Sequence, residues 1–155
     1  DEEDRVPFLF DGEVDERLPP KRRVVGVATQ DGAQAVAVDH DLLQRQGAVP
    51  LDLDGRALVA VMVPGATSAL DTGDISEGRQ VGATAVLDPM VDGQTLTFEV
   101  DGSRLRDTQT GTTWTIAGEA VQGPLEGAVL DGVPHTDPFW FAWAAFYPDT
   151  RLLTR

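Results

Sequence analysis

The sequence predicts a mainly β protein, an antiparallel barrel or sandwich with a short helix near residue 40 and a C-terminal aromatic helix. Three observations predict this fold class. Short apolar runs recur along the chain, Asp-Gly pairs separate many of them, and residues 94–100 alternate between apolar and polar side chains. Asp-Gly pairs favour the tight turns of β-hairpins, and alternation is typical of a strand with one buried face.

The composition fits a folded domain and excludes several function classes. The chain has 155 residues, of which 41% are hydrophobic, enough for a core of its own. The net charge is -14, so we expect no nucleic-acid partner, because phosphate binding needs a basic face. The absence of cysteine excludes disulfides and thiol catalysis. No apolar run approaches the ~20 residues of a membrane span.

The charge also raises the question of salt adaptation. Only Lys21 is a lysine among the 12 basic residues, and the abundance of Asp, Ala, Val and Gly resembles proteins of salt-loving archaea. A dense carboxylate surface repels itself at low salt and is screened at high salt. The alternative is an ordinary acidic protein from a GC-rich genome, whose melting temperature would not change between low and molar salt.

The start of the chain predicts an arm that precedes a single domain. Residues 1–23 are polar and interrupted by prolines, and we interpret them as an N-terminal arm. Residues 24–155 predict one β-rich domain. Because the chain starts without Met, we expect that a leader or tether was removed.

Two strands and the short helix come first in this domain. Residues 24–28 and 33–38 are apolar strands, and the Asp-Gly pair between them predicts a hairpin turn. Residues 39–47 predict the helix, because an aspartate at either of two positions caps its start and a glycine follows its end.

A buried strand and a long loop follow. Residues 58–63 are continuously apolar, which predicts a central strand buried on both faces. Residues 64–82 are rich in Gly, Ser, Thr and Asp, and loops of this length are usually functional or mobile. Residues 83–87 and 94–100 predict two further strands.

Residues 105–130 organise the second half of the chain. Turns at Gly111 and Gly123 interrupt this stretch. Between them Trp114 and Ile116 alternate with threonines, which predicts a half-buried strand.

The C-terminal helix is predicted over residues 137–148. Asp137 is a good N-cap, and the proline after it suits the first helical position. One helical face holds Phe139, Trp143 and Phe146, and an adjoining stripe holds Trp140, Trp143 and Tyr147. We therefore expect this helix to close one end of the β core.

Four short motifs occur in the order found in a known family. Residues 92–98 match Asp-Gly-x-x-Leu-x-Phe, and residues 107–114 match Asp-x-x-Thr-Gly-Ser-x-Trp. Residues 118–127 match Gly-x-Ala-x-x-Gly-Pro-Leu-x-Gly, and residues 140–150 match Trp-x-x-Trp followed by Pro-x-Thr. Over residues 24–153 the chain thus resembles domain-of-unknown-function family 3179 of bacteria and archaea. The resemblance implies an exported or membrane-tethered protein of unestablished activity.

One motif of that family is altered. Where relatives carry Cys-Pro-x-Cys-Gly, this chain reads Val-Pro-Gly-Ala-Thr at residues 63–67. Any metal or redox role of those thiols is therefore lost here.

The two histidines, His40 and His135, are the candidate metal ligands. A shared site would need them close together, completed by carboxylates or a methionine. Two isolated surface histidines are the commoner outcome, so we predict no metal and no cofactor.

A candidate pocket combines the long loop with aromatic residues of the motifs; its members are Thr67, Ser68, Trp114, Glu119 and Trp140. A serine nucleophile is not favoured, because the chain has no Gly-x-Ser-x-Gly elbow. The tryptophans could line a pocket for a flat ligand, although core packing is the stronger interpretation.

These observations favour a binding or structural module over an enzyme. The predicted function is an extracytoplasmic module that binds a protein or a small ligand, or a subunit of a surface or membrane-associated assembly. The alternative is an enzyme or electron-transfer partner that uses residues 64–82 with Glu119 and Trp114. The oligomeric state does not follow from the sequence.

Overall fold

A computed structural model describes residues 17–64 and 83–154. In chain order its elements are β1 (Val24–Ala28), β2 (Ala35–Asp39), α1 (His40–Gln46), β3 (Ala48–Leu53), β4 (Arg56–Val63), β5 (Ala83–Leu87), β6 (Met90–Val91), β7 (Gln94–Thr95), β8 (Phe98–Asp101), β9 (Arg104–Asp107), β10 (Thr113–Trp114), β11 (Ala120–Gln122), α2 (Trp140–Phe146) and β12 (Arg151–Leu153). The predicted mainly β, antiparallel class is confirmed. Among the residues described no sheet closes into a barrel, and a sandwich stays a prediction.

The described residues form two compact units. Unit 1 comprises residues 17–42, 53–55 and 134–154, and unit 2 comprises residues 43–52, 56–64 and 83–133. The predicted arm lies mostly outside the described residues, and the single domain of residues 24–155 stays a prediction.

Unit 1 is built on the sheet β1-β2-β12. β1 and β2 form the predicted antiparallel hairpin, whereas β12 runs parallel to β2. The other edge of β1 is covered by the chain before α2, because Gly26 and Thr136 exchange two backbone hydrogen bonds of 2.8 and 3.0 Å. Trp140, Trp143 and Ala144 of α2 form the core of this unit with apolar residues of the hairpin.

The short helix α1 has the predicted termini. The Asp39 carboxylate accepts a hydrogen bond from the backbone amide of Asp41, as an N-cap does. Gly47 has a φ of +81°, and its amide donates to the carbonyl of Leu43, which ends the helix.

Unit 2 contains most residues of a three-stranded sheet and all of a four-stranded sheet. The order β3-β4-β5 makes β4 central, and its last six residues are buried, as predicted. The order β11-β10-β9-β8 contains the motif strands around Trp114. The predicted strand over residues 94–100 is split into β7 and β8, because residues 96–97 donate their backbone amides outside the ladder.

The C-terminal helix differs from its prediction in two respects. Helix α2 begins at Trp140 after Phe139, and no side chain caps it, so the predicted Asp137 cap is wrong. Phe139 and Phe146 are 37% and 80% exposed, so the buried stripe is the adjoining one. Asp137 does not cap the helix because its carboxylate binds other partners, described below.

Candidate functional site

The predicted pocket stays a prediction, because two of its five members lie outside the described residues. Trp114 and Trp140 are both buried, and they belong to the cores of unit 2 and unit 1 respectively. Thr67 and Ser68 lie outside the described residues, as does most of the predicted loop. The preferred interpretation of the tryptophans as core residues is confirmed.

Trp114 is held by a buried carboxylate of its own motif. Its indole Nε1 donates to Asp107 at 2.9 Å, and the hydroxyl and backbone amide of Thr110 also donate to Asp107. Burial alone would raise the pKa of Asp107, but the hydrogen bonds from Trp114 and Thr110 outweigh it and lower that pKa below its ordinary value. The carboxylate therefore stays ionised at neutral pH and has a structural role.

The Gly-Pro turn packs against the same motif. A Cβ added at Gly123 would lie 2.8 Å from the Cα of Thr112, and the φ of Gly123 is +121°. The hydroxyl of Thr112 accepts the backbone amide of Leu125 at 3.1 Å. Thus the motif of residues 107–114 and the Gly-Pro turn stabilise each other.

Glu119 contributes through its backbone. Its amide donates to the Thr115 hydroxyl at 3.2 Å, and its carbonyl accepts the Thr115 amide at 2.8 Å. Its side chain is exposed. Glu119 therefore helps to form the turn between Thr115 and Glu119 through its backbone, and this accounts for its place in the motif.

The two histidines share one carboxylate in unit 1. His40 Nε2 lies 2.9 Å from one oxygen of Asp137, and His135 Nε2 lies 3.5 Å from the other. The side chains of His40 and His135 are only 13% and 19% exposed. The expectation of two isolated surface histidines is therefore wrong.

Asp137 is ionised in this cluster. Burial would raise its pKa, but hydrogen bonds from His135 and His40, together with their positive charge at low pH, lower the pKa of Asp137 well below its usual range. In the part of the chain that the structure describes, no group of three or more His, Asp or Glu is arranged to hold a metal ion.

Unit 2 contains an apolar cleft of about 370 Å³. Buried side chains of β3, β4 and the 95–98 segment form its floor; they are Leu51, Leu58, Val59, Leu96 and Phe98. Ala48, Pro50, Ala57 and Pro89 complete the apolar lining. Pockets that bind small ligands commonly have this size and a mainly apolar lining.

Three polar residues line the cleft, namely Asp52, Thr95 and Thr97, and all are exposed. Gln109 supports this side of the cleft, since its Oε1 accepts the Thr97 amide at 2.9 Å and its Nε2 donates to the Thr95 carbonyl at 3.4 Å. Among the described residues, no lysine, arginine or histidine lines the cleft. The lining therefore suits an apolar group with a hydrogen-bond donor or a positive charge.

Sequence reasoning missed both the cleft and the histidine cluster. The alternation of residues 94–100 correctly placed Leu96 and Phe98 inward, but no local pattern shows where two inward faces leave a gap. The local sequence signal for the cluster was Asp137, which was predicted to cap the helix. A carboxylate in the chain before a helix can instead bind a histidine that is distant in sequence.

Within the described residues, no helix is both long and apolar enough to span a membrane.

A family model gives the comparison with known proteins. The model described as "Protein of unknown function (DUF3179)" matches residues 1–150. No curated protein and no solved structure matches the chain.

Proposed function

Because this chain belongs to the DUF3179 family of proteins of unknown function, we propose a function from its geometry: a non-catalytic binding module. The cleft of unit 2 takes the apolar part of a small ligand that also carries a positive charge or a hydrogen-bond donor. The observation that carries the proposal is the apolar cleft of about 370 Å³, to whose lining the described part of the chain contributes one carboxylate and no basic residue.

The size and charge of the cleft support this ligand class. A dry protein cavity of about 150 Å³ accommodates benzene, so the cleft has room for a fused aromatic or branched aliphatic group. Asp52 supplies a negative charge at the cleft, and the chain's net charge of -14 favours cationic ligands over anionic ones. Leu96 and Phe98, two members of the floor, also belong to a family motif.

The enzyme or electron-transfer alternative has less support. It required an aromatic wall made by Trp114 beside Glu119. The Trp114 ring is buried, and its indole donor is already bonded to Asp107. A residue so enclosed packs the core and does not meet a substrate.

We also propose that the module works outside the cytoplasm, either secreted or tethered. The support is the resemblance to a family of exported or membrane-tethered proteins. Fractionation of source cells, with detection of the native protein by antibody, tests this location; recovery in the cytoplasm alone would contradict it.

A matched pair of probes tests the cleft. Tryptamine and indole-3-acetate share a ring system and carry opposite charges at pH 7. In NMR titrations, tryptamine should shift the resonances of Leu58, Leu96 and Thr97, and indole-3-acetate should bind more weakly. Asp52→Asn should weaken tryptamine binding about five- to tenfold, because it removes one charge-assisted contact.

Two substitutions separate cleft binding from general adhesion. Ala57→Trp fills the cleft and should abolish the shifts, whereas Val121→Trp adds the same ring at a position that is 49% exposed and outside the lining. The control should bind tryptamine as the wild type does. Equal binding by both variants, or shifts that map away from the cleft, would refute the proposal.

A further inference from the structure

The histidine cluster of unit 1 joins two segments that are distant in sequence. His40 is the first residue of α1, and Asp137 lies 97 residues later in the chain before α2. His135 approaches the second oxygen of Asp137 at 3.5 Å. The same segment covers the edge of β1 through backbone hydrogen bonds at Gly26 and Thr136. The side-chain cluster and this backbone ladder therefore hold the same stretch of chain.

Imidazole side chains change charge in a pH range in which the carboxylate of Asp137 does not. Histidine is the side chain whose charge ordinarily changes between pH 5 and pH 8, and Asp137 remains ionised throughout that range. At high pH each neutral ring offers one hydrogen bond to the carboxylate. After proton uptake an imidazolium offers a charge-assisted bond, which is shorter and about twice as strong.

Other charged groups surround the cluster. From the chain preceding β1, Arg23 donates to the backbone carbonyl of Asp137 at 2.7 Å. Arg22 lies 2.8 Å from Asp39 and 3.0 Å from Asp41, so its single positive charge offsets part of the two negative charges that flank His40 in sequence. The carboxylate of Asp137 is an anion that contacts both imidazole rings.

We propose that His40, Asp137 and His135 form an acid-responsive clasp, which tightens the attachment of residues 135–139 to α1 and β1 when the pH falls from about 8 to 5.5. The carboxylate of Asp137 lies between the two rings, 2.9 Å from His40 and 3.5 Å from His135. The clasp gives unit 1 a response to pH, and it does not depend on the cleft of unit 2.

Hydrogen exchange of the full chain measures the clasp directly. The reporters are the amides of Val24, Gly26 and Thr136, which bond across the clasped edge. Their protection factors, corrected for the intrinsic pH dependence of exchange, should rise about five- to tenfold from pH 8 to 5.5, as expected when a neutral hydrogen bond becomes charge-assisted. The amide of Leu130, which donates to Gly118 in unit 2, is the internal reference.

Matched variants decide the outcome. Asp137→Asn should remove the gain in protection, while Asp149→Asn, which neutralises an exposed carboxylate of the same unit, should keep it. If Asp137→Asn does not fold, the double variant His40→Gln/His135→Gln gives the same test. Protection independent of pH in the wild type, or a full gain in the variants lacking the clasp, would overturn the proposal.

Discussion

The two units each anchor a tryptophan to an oxygen seven residues away. In unit 2, Trp114 Nε1 donates to the Asp107 carboxylate at 2.9 Å; in unit 1, Trp143 Nε1 donates to the Thr150 hydroxyl at 2.9 Å. Both acceptors are buried. The spacing and the distance are the same, but one acceptor is ionised and serves several donors, whereas the other is neutral.

The comparison shows what the family motifs encode. Asp107 and Trp114 are the first and last residues of one motif, and Trp143 and Thr150 belong to another. All four residues satisfy buried polar groups and fill a core. The surfaces that we propose as functional combine His40, His135 and Asp52, which lie outside the matched motifs, with the motif residues Leu96 and Phe98 of the cleft floor. The charged groups of these surfaces therefore have to be sought beside the motifs, whereas part of the apolar floor lies within one.

The largest effect on stability is expected at Asp107, the charged acceptor of the Trp114 hydrogen bond. Asp107→Asn should lower the free energy of unfolding by about 3 kcal/mol, because it disrupts the buried network that satisfies Trp114 and Thr110. Urea unfolding followed by ¹⁹F NMR of 5-fluorotryptophan reports unit 2 through Trp114 and unit 1 through Trp140 and Trp143. The exposed Asp101→Asn is the control, with an expected change below about 0.5 kcal/mol. A wild-type midpoint for Asp107→Asn would show that the charge is unimportant.

The second largest effect is expected when the space beside Trp143 is filled, the ring that bonds to the neutral hydroxyl of Thr150. An added Cβ at Gly26 would lie 2.5 to 2.7 Å from three carbons of the Trp143 ring. Gly26→Ala should therefore destabilise unit 1 by about 2 kcal/mol through overpacking, with the Trp143 fluorine signal changing first. Gly132→Ala, where the new Cβ meets nothing within 4 Å, should leave both units unchanged; equal losses in the two variants would contradict the steric explanation.

A smaller effect is expected from the neutral acceptor itself. Thr150→Val keeps the shape and removes the oxygen that Trp143 uses, and it should lower the free energy of unfolding by about 1 kcal/mol. Trp143→Phe removes the donor instead. In a double-mutant cycle the coupling of these two changes should account for most of the loss at Thr150. Additive losses would mean that the bond contributes little.

The smallest effect concerns acid. Hydrogen bonds lower the pKa of Asp107 below its unfolded value despite burial, so its contribution to stability is present above about pH 4 and is lost as the pH falls further. The charged anchor of unit 2 should therefore weaken below pH 4. Asp107→Asn should flatten this part of the stability profile of unit 2, measured by ¹⁹F-monitored thermal unfolding, and Thr150→Val should leave the profile of unit 1 unchanged in shape.

Local signals predicted the elements whose determinants are local. The strand β1, the helix α1 with its glycine terminus, and the buried strand β4 all follow from patterns within a few residues. The start of α2 could not be predicted, because Asp137 binds a histidine 97 residues away and so does not cap the helix. Strand β12 was missed because it has three residues and pairs in parallel with the distant β2.

The candidate sites were less predictable than the fold. Residues of the cleft floor were correctly placed inward, but a gap between them depends on how strands from different parts of unit 2 are arranged. His40 and His135 were recognised as candidates, and only the tertiary structure brings them to one carboxylate. Residue type therefore indicated the chemistry, and long-range packing determined the partners.

The parallel pairing of β12 with β2 has a consequence for biosynthesis. The described residues of unit 2 all lie between 43 and 133, so they are translated before the last segment of unit 1. The sheet of unit 1 needs residues 151–153 beside a hairpin made much earlier. Synthesis from the N-terminus proceeds at roughly 5–20 residues per second. Until the intervening chain has emerged, the apolar side chains of that hairpin therefore lack their contacts with α2.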